Sequence, residues 1–426
     1  MRKLAFTLIL LLGFISGSAT FTPLPPELDG SMMPYDFEAE DSLLIPEGYT
    51  PVHISYVARH GARYLSSPKK TEKIERALEK GASEGILSVE GEKFLAFLKE
   101  ITAVSKGRWG LLSEVGIAEQ RRLGSFIGNS FPELLKRGKA VSISTFVPRV
   151  IMTMYEFNHS LEIPNHQLEL FTSSGHQNDS LLYCFATFRD YSGFRESGAW
   201  VNIYDSYVGT HVSPLPAGRL FKPGTENDTK RLLDLTMEMY GVLQGNRAAS
   251  LPAPTTEWFS EEEYRQCYLA SNLKHYLRNT PNLIDPWCAP ATSMLLERII
   301  SDADKALADG DTPFNGYFGH CETLLPLLAV MNIPGCYLRT SDYSSVESHW
   351  RLQEISPLGA NLQLIFLRKG NRVRTAATGE VSVMVRLNGR HIAPYPGAPK
   401  IVTWKDLKDY WLRRIASFSR PKAKIL

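Results

Sequence analysis

The stretch Tyr56-Val57-Ala58-Arg59-His60-Gly61-Ala62-Arg63 follows the apolar, β-branched run Val52-His53-Ile54-Ser55. That run reads as a buried strand, so the chain delivers a histidine between two arginines at a strand end. Gly61 lets the backbone turn there without a side-chain clash. Arginine forks match phosphate oxygens in pairs, and two guanidiniums beside an imidazole form a pocket for a phosphate. His60 is then a candidate nucleophile toward phosphorus, since histidine forms covalent intermediates. A plain surface Arg-His-Gly turn is the competing reading, and the strand-then-turn context disfavours it.

Two later stretches carry similar signals. Val141, Ile143 and Thr145 alternate with serines in a strand pattern that runs to Pro148 and Arg149. Phe314 to Phe318 reads as a short buried strand. It ends in Gly319-His320-Cys321-Glu322-Thr323, before the apolar helix Leu324–Met331. A histidine and a glutamate at a helix start suit an anion, because helix N-termini favour negative charge. Alone, a His-x-Glu triplet is usually structural. Between the first two stretches, Leu112-Ser113-Glu114-Val115-Gly116 opens a helix through about Leu135, with Leu123, Phe126 and Ile127 on one face.

The 426 residues suffice for one large domain or two moderate ones, and the apolar (43%) and charged (22%) contents are ordinary for a globular chain. Arg2 and Lys3, the apolar run Leu4 to Ile15 and Ser16-Gly17-Ser18-Ala19 read as a secretory signal peptide over residues 1–19, cleaved near Ala19. The run is short for a membrane span, and an anchor that stays is the less favoured reading. Its removal brings the 47 basic residues level with the 45 acidic ones. A neutral mature chain argues against nucleic acid or a membrane surface as the partner. A polyanionic substrate would need positive charge concentrated in a cleft. The expected product is a periplasmic or secreted monomer.

An exported chain can form disulfides, and five cysteines leave at least one thiol free. Cys267 and Cys288 lie in one local segment and could pair; Cys321 is the expected free thiol. No metal or cofactor is called for, since histidines and carboxylates do not cluster at ligand spacing.

Residues 69–80 read as a charged helix whose Glu72 and Arg76 mark a solvated face; Lys69 and Lys70 are near enough to the first motif to meet a substrate. Residues 165–225 look irregular. Three helical patterns follow: Leu232, Leu235, Met239 and Val242; a capping box of Ser260 and Glu263; and a stripe from Leu295 to Leu307 that stops at Gly310. Strands are expected at Leu362–Leu367 and Val381–Leu387, a tight turn at Asn388-Gly389, and a last helix striped by Trp404, Leu407, Trp411 and Ile415, before a loose tail at 420–424.

The first motif resembles the Arg-His-Gly-x-Arg signature of the histidine phosphatase superfamily, acid phosphatase branch. That family places a proline soon after the second arginine, where this chain has Tyr64 and Leu65, with Pro68 later. The Leu-Ser-x-x-Gly helix start, the pair Phe131-Pro132 and the run Ser144-Thr145-Phe146-Val147-Pro148-Arg149 are similar to further family motifs. Common acid phosphatases carry His-Asp at the second half of the site. Here His-Cys-Glu precedes Thr323-Leu324-Leu325-Pro326-Leu327-Leu328, which resembles the multiple inositol-polyphosphate phosphatase branch with its His-Ala-Glu. Cys321 for alanine is a departure; packing is preferred for it over an oxidation-sensitive role.

The resemblance implies an α/β fold: a phosphoglycerate-mutase-like sheet core flanked by helices (residues 20–155 and 311–426), with a mostly α-helical insertion (156–310) shaping the substrate cleft. It implies a histidine-type phosphatase acting on inositol polyphosphates such as phytate. His60 would be the nucleophile, Arg59, Arg63, Arg149 and His320 the phosphate ligands, and Glu322 the proton donor and later base. A phosphoanion nearby would keep Glu322 partly protonated in mild acid. Alternatives are a broad acid phosphatase acting on sugar phosphates, a mutase, which export disfavours, and a non-catalytic phosphate-ester binding protein.

Overall fold

A computed structural model describes residues 21–370 and 380–418. The expected signal peptide and the tail at 420–424 lie outside them. Eight strands form one sheet: β1 (Tyr49–Arg59), β2 (Arg137–Ser144), β3 (Gln167–Ser174), β4 (Phe314–Gly319), β5 (Asn361–Lys369), β6 (Val381–Leu387), β7 (Arg390–Ile392) and β8 (Ile401–Thr403). Their order is β3-β2-β4-β1-β5-β6-β7, with β8 pairing β6. The first four in that order are parallel, and β5 turns antiparallel against β1.

The central strand is β1, covered on both faces, which explains its near-continuous apolar character. Alternation sends Tyr56 and Ala58 one way and Val57 the other. On the first face Tyr56 packs with Phe157, Phe314 and Phe318 under the helices Glu114–Ser130 and Pro148–Glu162. On the second, Val57 and Tyr317 meet the helices Cys288–Asp309, Cys321–Met331 and Trp404–Ser417. A separate helical core joins Lys69–Ser83 and Val89–Ser105 to Thr229–Leu243 and Glu261–Asn279. The fold is thus the expected α/β sheet flanked by helices. Among the described residues, 176 to 309 carry helices and no strand of the sheet.

Several expectations are met in detail. Ser260 and Glu263 make a reciprocal capping box, and the helix Cys288–Asp309 ends at Gly310 in a left-handed conformation. Asn388 and Gly389 both have positive φ, as a two-residue hairpin turn between β6 and β7 requires. Two readings need correction. Residues 165–225 are regular: β3 is a parallel edge strand on β2, and the helices Arg189–Ser197 and Trp200–His211 follow. The sheet therefore runs on to Ser174. The Cys267–Cys288 pairing does not form. All five cysteines are buried free thiols, and Cys288 packs beside Cys184 while Cys267 lies in the helical core. No helix among the described residues is long and apolar enough to cross a membrane.

Candidate active site

Strand register brings the motifs together. Arg59 on β1 lies opposite Gly319 on the parallel β4, so His60 and His320 leave the sheet side by side. Their rings are 5.6 Å apart at 75°. On the other side of β4, Ser144 of β2 lies opposite Phe318. The chain then turns into the helix Pro148–Glu162, whose first turn carries Arg149. The site therefore sits at the carboxyl ends of three parallel strands, where the chain must leave the sheet and side chains can converge.

The Arg-His-Gly turn is clamped from below. Glu119 is buried and accepts from the Tyr35 N–H at 2.9 Å and the Ala62 N–H at 2.8 Å. Burial pushes its carboxyl up to about 7, against those two hydrogen bonds. The Gly61 N–H donates to Thr153 Oγ1 (3.1 Å), and the Thr153 hydroxyl donates to the Arg149 carbonyl (2.8 Å), which ties the turn to the third arginine. Gly116 explains the Leu-Ser-x-x-Gly signal: a Cβ there would stand 2.1 Å from the Ala62 carbonyl oxygen. The same close approach, rather than an unusual φ, requires Gly61, whose Cβ would meet Gly116 O at 3.0 Å.

Three guanidiniums face the turn. Arg59 is almost fully buried, its Nη1 donating to the carbonyls of Ser31 (2.7 Å) and Ser356 (2.6 Å). Arg63 donates from Nη1 to the Tyr64 carbonyl at 2.8 Å and from Nη2 to Met32 Sδ at 3.7 Å. In Arg59, Arg63 and Arg149 alike, Nε is buried without an acceptor among the described residues. Burial, then Arg149 and Arg59, pulls Arg63 down to about 9; burial likewise lowers Arg149. Three crowded cations with orphaned donors are costly alone and suit a multiply charged oxyanion.

Beside them, His60 Nδ1 lies 3.0 Å from its neighbour's carbonyl, Gly61 O. A carbonyl only accepts, so Nδ1 carries the hydrogen and Nε2 keeps its lone pair. Burial, then Arg149, Arg59, Arg63 and His320, holds the ring well below the ordinary histidine range, hence neutral. His320 Nε2 is 3.3 Å from Thr145 Oγ1, and burial followed by Arg149 lowers it to about 3. Tyr183 and Phe185 pack on the His320 ring at 5.4 and 5.3 Å.

Glu322 occupies the first turn of Cys321–Met331 with its side chain 24% exposed, so it is reachable. Its Oε1 accepts from Arg195 Nη2 at 3.1 Å and its Oε2 from the Cys321 thiol at 3.2 Å. Burial alone would raise this carboxyl, but Arg195, His320 and His275 outweigh it and hold it well below the usual carboxylate range. The partial protonation expected of Glu322 in mild acid belongs to the state with a phosphoanion beside it; with Arg195 as its partner, the carboxylate form is favoured. Cys321 is pushed up to about 12 by burial and the Glu322 charge, which keeps it a thiol.

A cavity of about 970 Å³ adjoins the site, lined by five Lys and Arg side chains against three carboxylates. Lys70, Lys274, His275 and Arg278 belong to its wall, and Lys73 pairs with Glu238. Lys70 is open to the cleft solvent yet surrounded by its walls; that enclosure, then Arg63 and Lys274, lowers it to about 8. Of the two lysines singled out from the sequence, Lys70 thus faces the cleft, and Lys69 is exposed outside its wall. None of the six expected site residues lines that cavity; His60 feels the charges of Arg149, Arg59, Arg63 and His320, and His320 that of Glu322, so the six stand near one another at the strand ends. Arg195, His275 and Arg278 were not legible in advance. Among the described residues, no His, Cys, Asp and Glu group is arranged to hold a metal ion.

No family model matches the sequence, and no curated protein matches it significantly. Solved structures do match. The apo form of Bifidobacterium longum multiple inositol polyphosphate phosphatase superposes with a TM-score of 0.74 at 16% identity, over 90% of this chain and 97% of that one. Its complex with inositol hexasulfate gives 0.72 over the same shares, also at 16% identity. The phytase from D. castellii gives 0.67 at 19% identity, over 92% of this chain and 85% of that one. At these identities the likeness establishes the fold, and that fold is the one implied by the histidine phosphatase motifs.

Proposed function

We propose that the chain is an exported phosphomonoesterase that hydrolyses inositol polyphosphates through a phosphohistidine intermediate. The observation that carries this reading is the His60 ring. Its Nδ1 hydrogen is taken by the Gly61 carbonyl, and its Nε2 lone pair stands among three arginines with unpartnered buried Nε groups. The cationic cavity beside it supports a substrate with several phosphates over a simple sugar phosphate. The similar structures, named as an inositol polyphosphate phosphatase and a phytase, support the same class. Export rests on the leader-like residues 1–19.

The steps follow from the chemistry. Arg59, Arg63, Arg149 and His320 hold the non-bridging oxygens and offset their charge, so that a neutral nucleophile can approach phosphorus in line. His60 Nε2 bonds to phosphorus as the ester P–O bond breaks. The leaving alkoxide is too basic to depart alone and takes a proton from Glu322. Glu322, now a carboxylate, accepts a proton from water as that water attacks the phosphohistidine and the P–N bond breaks. Phosphate release from phytate, compared with sugar monophosphates, tests the reading. A preference for phytate in kcat/KM is expected; a preference for sugar phosphates would make the protein a broad acid phosphatase, and binding without release a non-catalytic binder.

A further inference from the structure

We propose that Arg195 is the positioning residue that couples anion binding to proton uptake: it holds the Glu322 carboxylate before substrate arrives and shifts its guanidinium to the incoming phosphate, so that Glu322 becomes an acid only in the complex. The proposal rests on the phosphomonoesterase reading above and deepens it.

The placement of Arg195 carries the argument. It lies on the helix Arg189–Ser197, far in sequence from the motifs, yet pairs with Glu322 Oε1 at 3.1 Å. Its Nε is anchored on Asn279 Oδ1 at 3.1 Å, which fixes the stem of the fork. Its Nη1 has only a long contact, 3.5 Å, to the Phe185 carbonyl, so that donor is open to a better acceptor. The guanidinium lies 4.9 Å over the Phe185 ring, which itself packs on His320, so it borders the phosphate site. Both partners are partly open, Arg195 at 14% and Glu322 at 24%.

The other titratable groups facing Glu322 are His275 from the helix Glu261–Asn279, His320 from the end of β4 and the Cys321 thiol from its own helix. Burial lowers both imidazoles to about 3, so they are neutral near pH 5 and Arg195 is the cation paired with the carboxylate. Arg149, Arg63 and Arg278 feel its charge as well. A carboxylate so surrounded is a poor proton donor. A phosphate dianion reverses the balance in two ways: it repels the carboxylate, and it competes for the fork, which fits phosphate oxygens as well as carboxylate ones. Glu322 then takes one proton from solvent and gives it to the leaving oxygen as the P–O bond breaks. It recovers a proton from the attacking water, and that proton returns to solvent when phosphate leaves and Arg195 pairs again.

Calorimetric titration with inositol hexasulfate in buffers of differing ionisation enthalpy tests this, because sulfate esters neither hydrolyse here nor carry a titrating proton. Near the ordinary carboxylate range, about pH 5, the wild-type protein is expected to take up close to one proton per bound probe. Glu322→Gln should bind without uptake. Arg195→Met should also bind without uptake, because with its paired guanidinium gone Glu322 is raised by burial and protonated before the probe arrives; Arg195→Gln serves if that variant does not fold. Arg195→Lys should restore uptake. A merely structural Arg195 would weaken binding and leave the proton count unchanged. Wild-type binding without proton uptake, or uptake that persists in Glu322→Gln or Arg195→Met, overturns the proposal. A wild-type protein that does not bind the probe at all would refute the polyphosphate reading beneath it.

Discussion

The backbone N–H of His60 donates to the carbonyl of Gly319 at 3.0 Å, one residue before His320. That single bond extends the β1–β4 ladder past Arg59 and sets two imidazoles beside each other from segments far apart in sequence. Fixed backbone, rather than side-chain adjustment, aims His60 Nε2, and preorganisation of this kind is what lets a weak nucleophile act.

The buried Arg59 should not tolerate lysine. Arg59→Lys keeps the charge but loses the Nε donor and the fork that two carbonyls orient. Steady-state kinetics should show kcat lowered on the order of 100-fold, the scale of a lost transition-state donor, with the fold retained by circular dichroism.

Gly116→Ala should damage stability and activity together. Its Cβ would meet the Ala62 carbonyl at 2.1 Å, so the helix Glu114–Ser130 must retreat from the Arg-His-Gly turn. A loss of about 1–3 kcal/mol is expected. Gly193→Ala, at an exposed position of the helix Arg189–Ser197 with nothing within 4 Å of its Cβ, should instead stabilise by up to about 1 kcal/mol. Thermal melts of the two variants check the contrast.

An inorganic anion should stabilise the fold. With Arg59, Arg63 and Arg149 crowded and their Nε groups unpartnered, phosphate at 100 times its dissociation constant would add about 2.7 kcal/mol. Arg149→Met should melt higher than wild type without phosphate, through relief of repulsion, and respond less to added phosphate. Equal shifts in both proteins would place the anion elsewhere.

Glu119 gives a pH signature. Its folded-state carboxyl is raised from 4.5 to about 7, so its contribution to stability is full below about 4.5 and is lost as pH rises through about 7. The stability of wild type relative to Glu119→Gln should therefore fall between those values. Glu119→Gln should also be less stable at low pH, since an amide NH₂ would face one of the two backbone N–H donors of Tyr35 and Ala62.

Much of the site was legible because local pattern and fold-level register agreed. The β-branched run before Arg59, the alternation before Arg149 and the buried strand before His320 each ended at the carboxyl end of the same three parallel strands. Arg195 and His275 were invisible for a physical reason: they reach Glu322 by packing of the helical segment, which leaves no short-range spacing to read. Strand β3 was missed because it is an edge strand, with Leu168 and Leu170 its inward apolar residues and Phe171 exposed among polar neighbours. The Cys184 and Cys288 neighbourhood likewise depended on helix packing rather than on distance along the chain.

The most direct measurement is chemical trapping of the phosphoenzyme. Glu322→Gln, which lacks the base for the second step, is mixed with a phosphate ester of an acidic alcohol that needs no proton to leave, quenched in alkali and mapped by peptide mass spectrometry. One phosphoryl group on the imidazole of His60 is expected, and none anywhere in His60→Ala, which should also release no phosphate from phytate. Phosphate turnover by His60→Ala, or a phosphoryl group carried by another residue, would contradict the account.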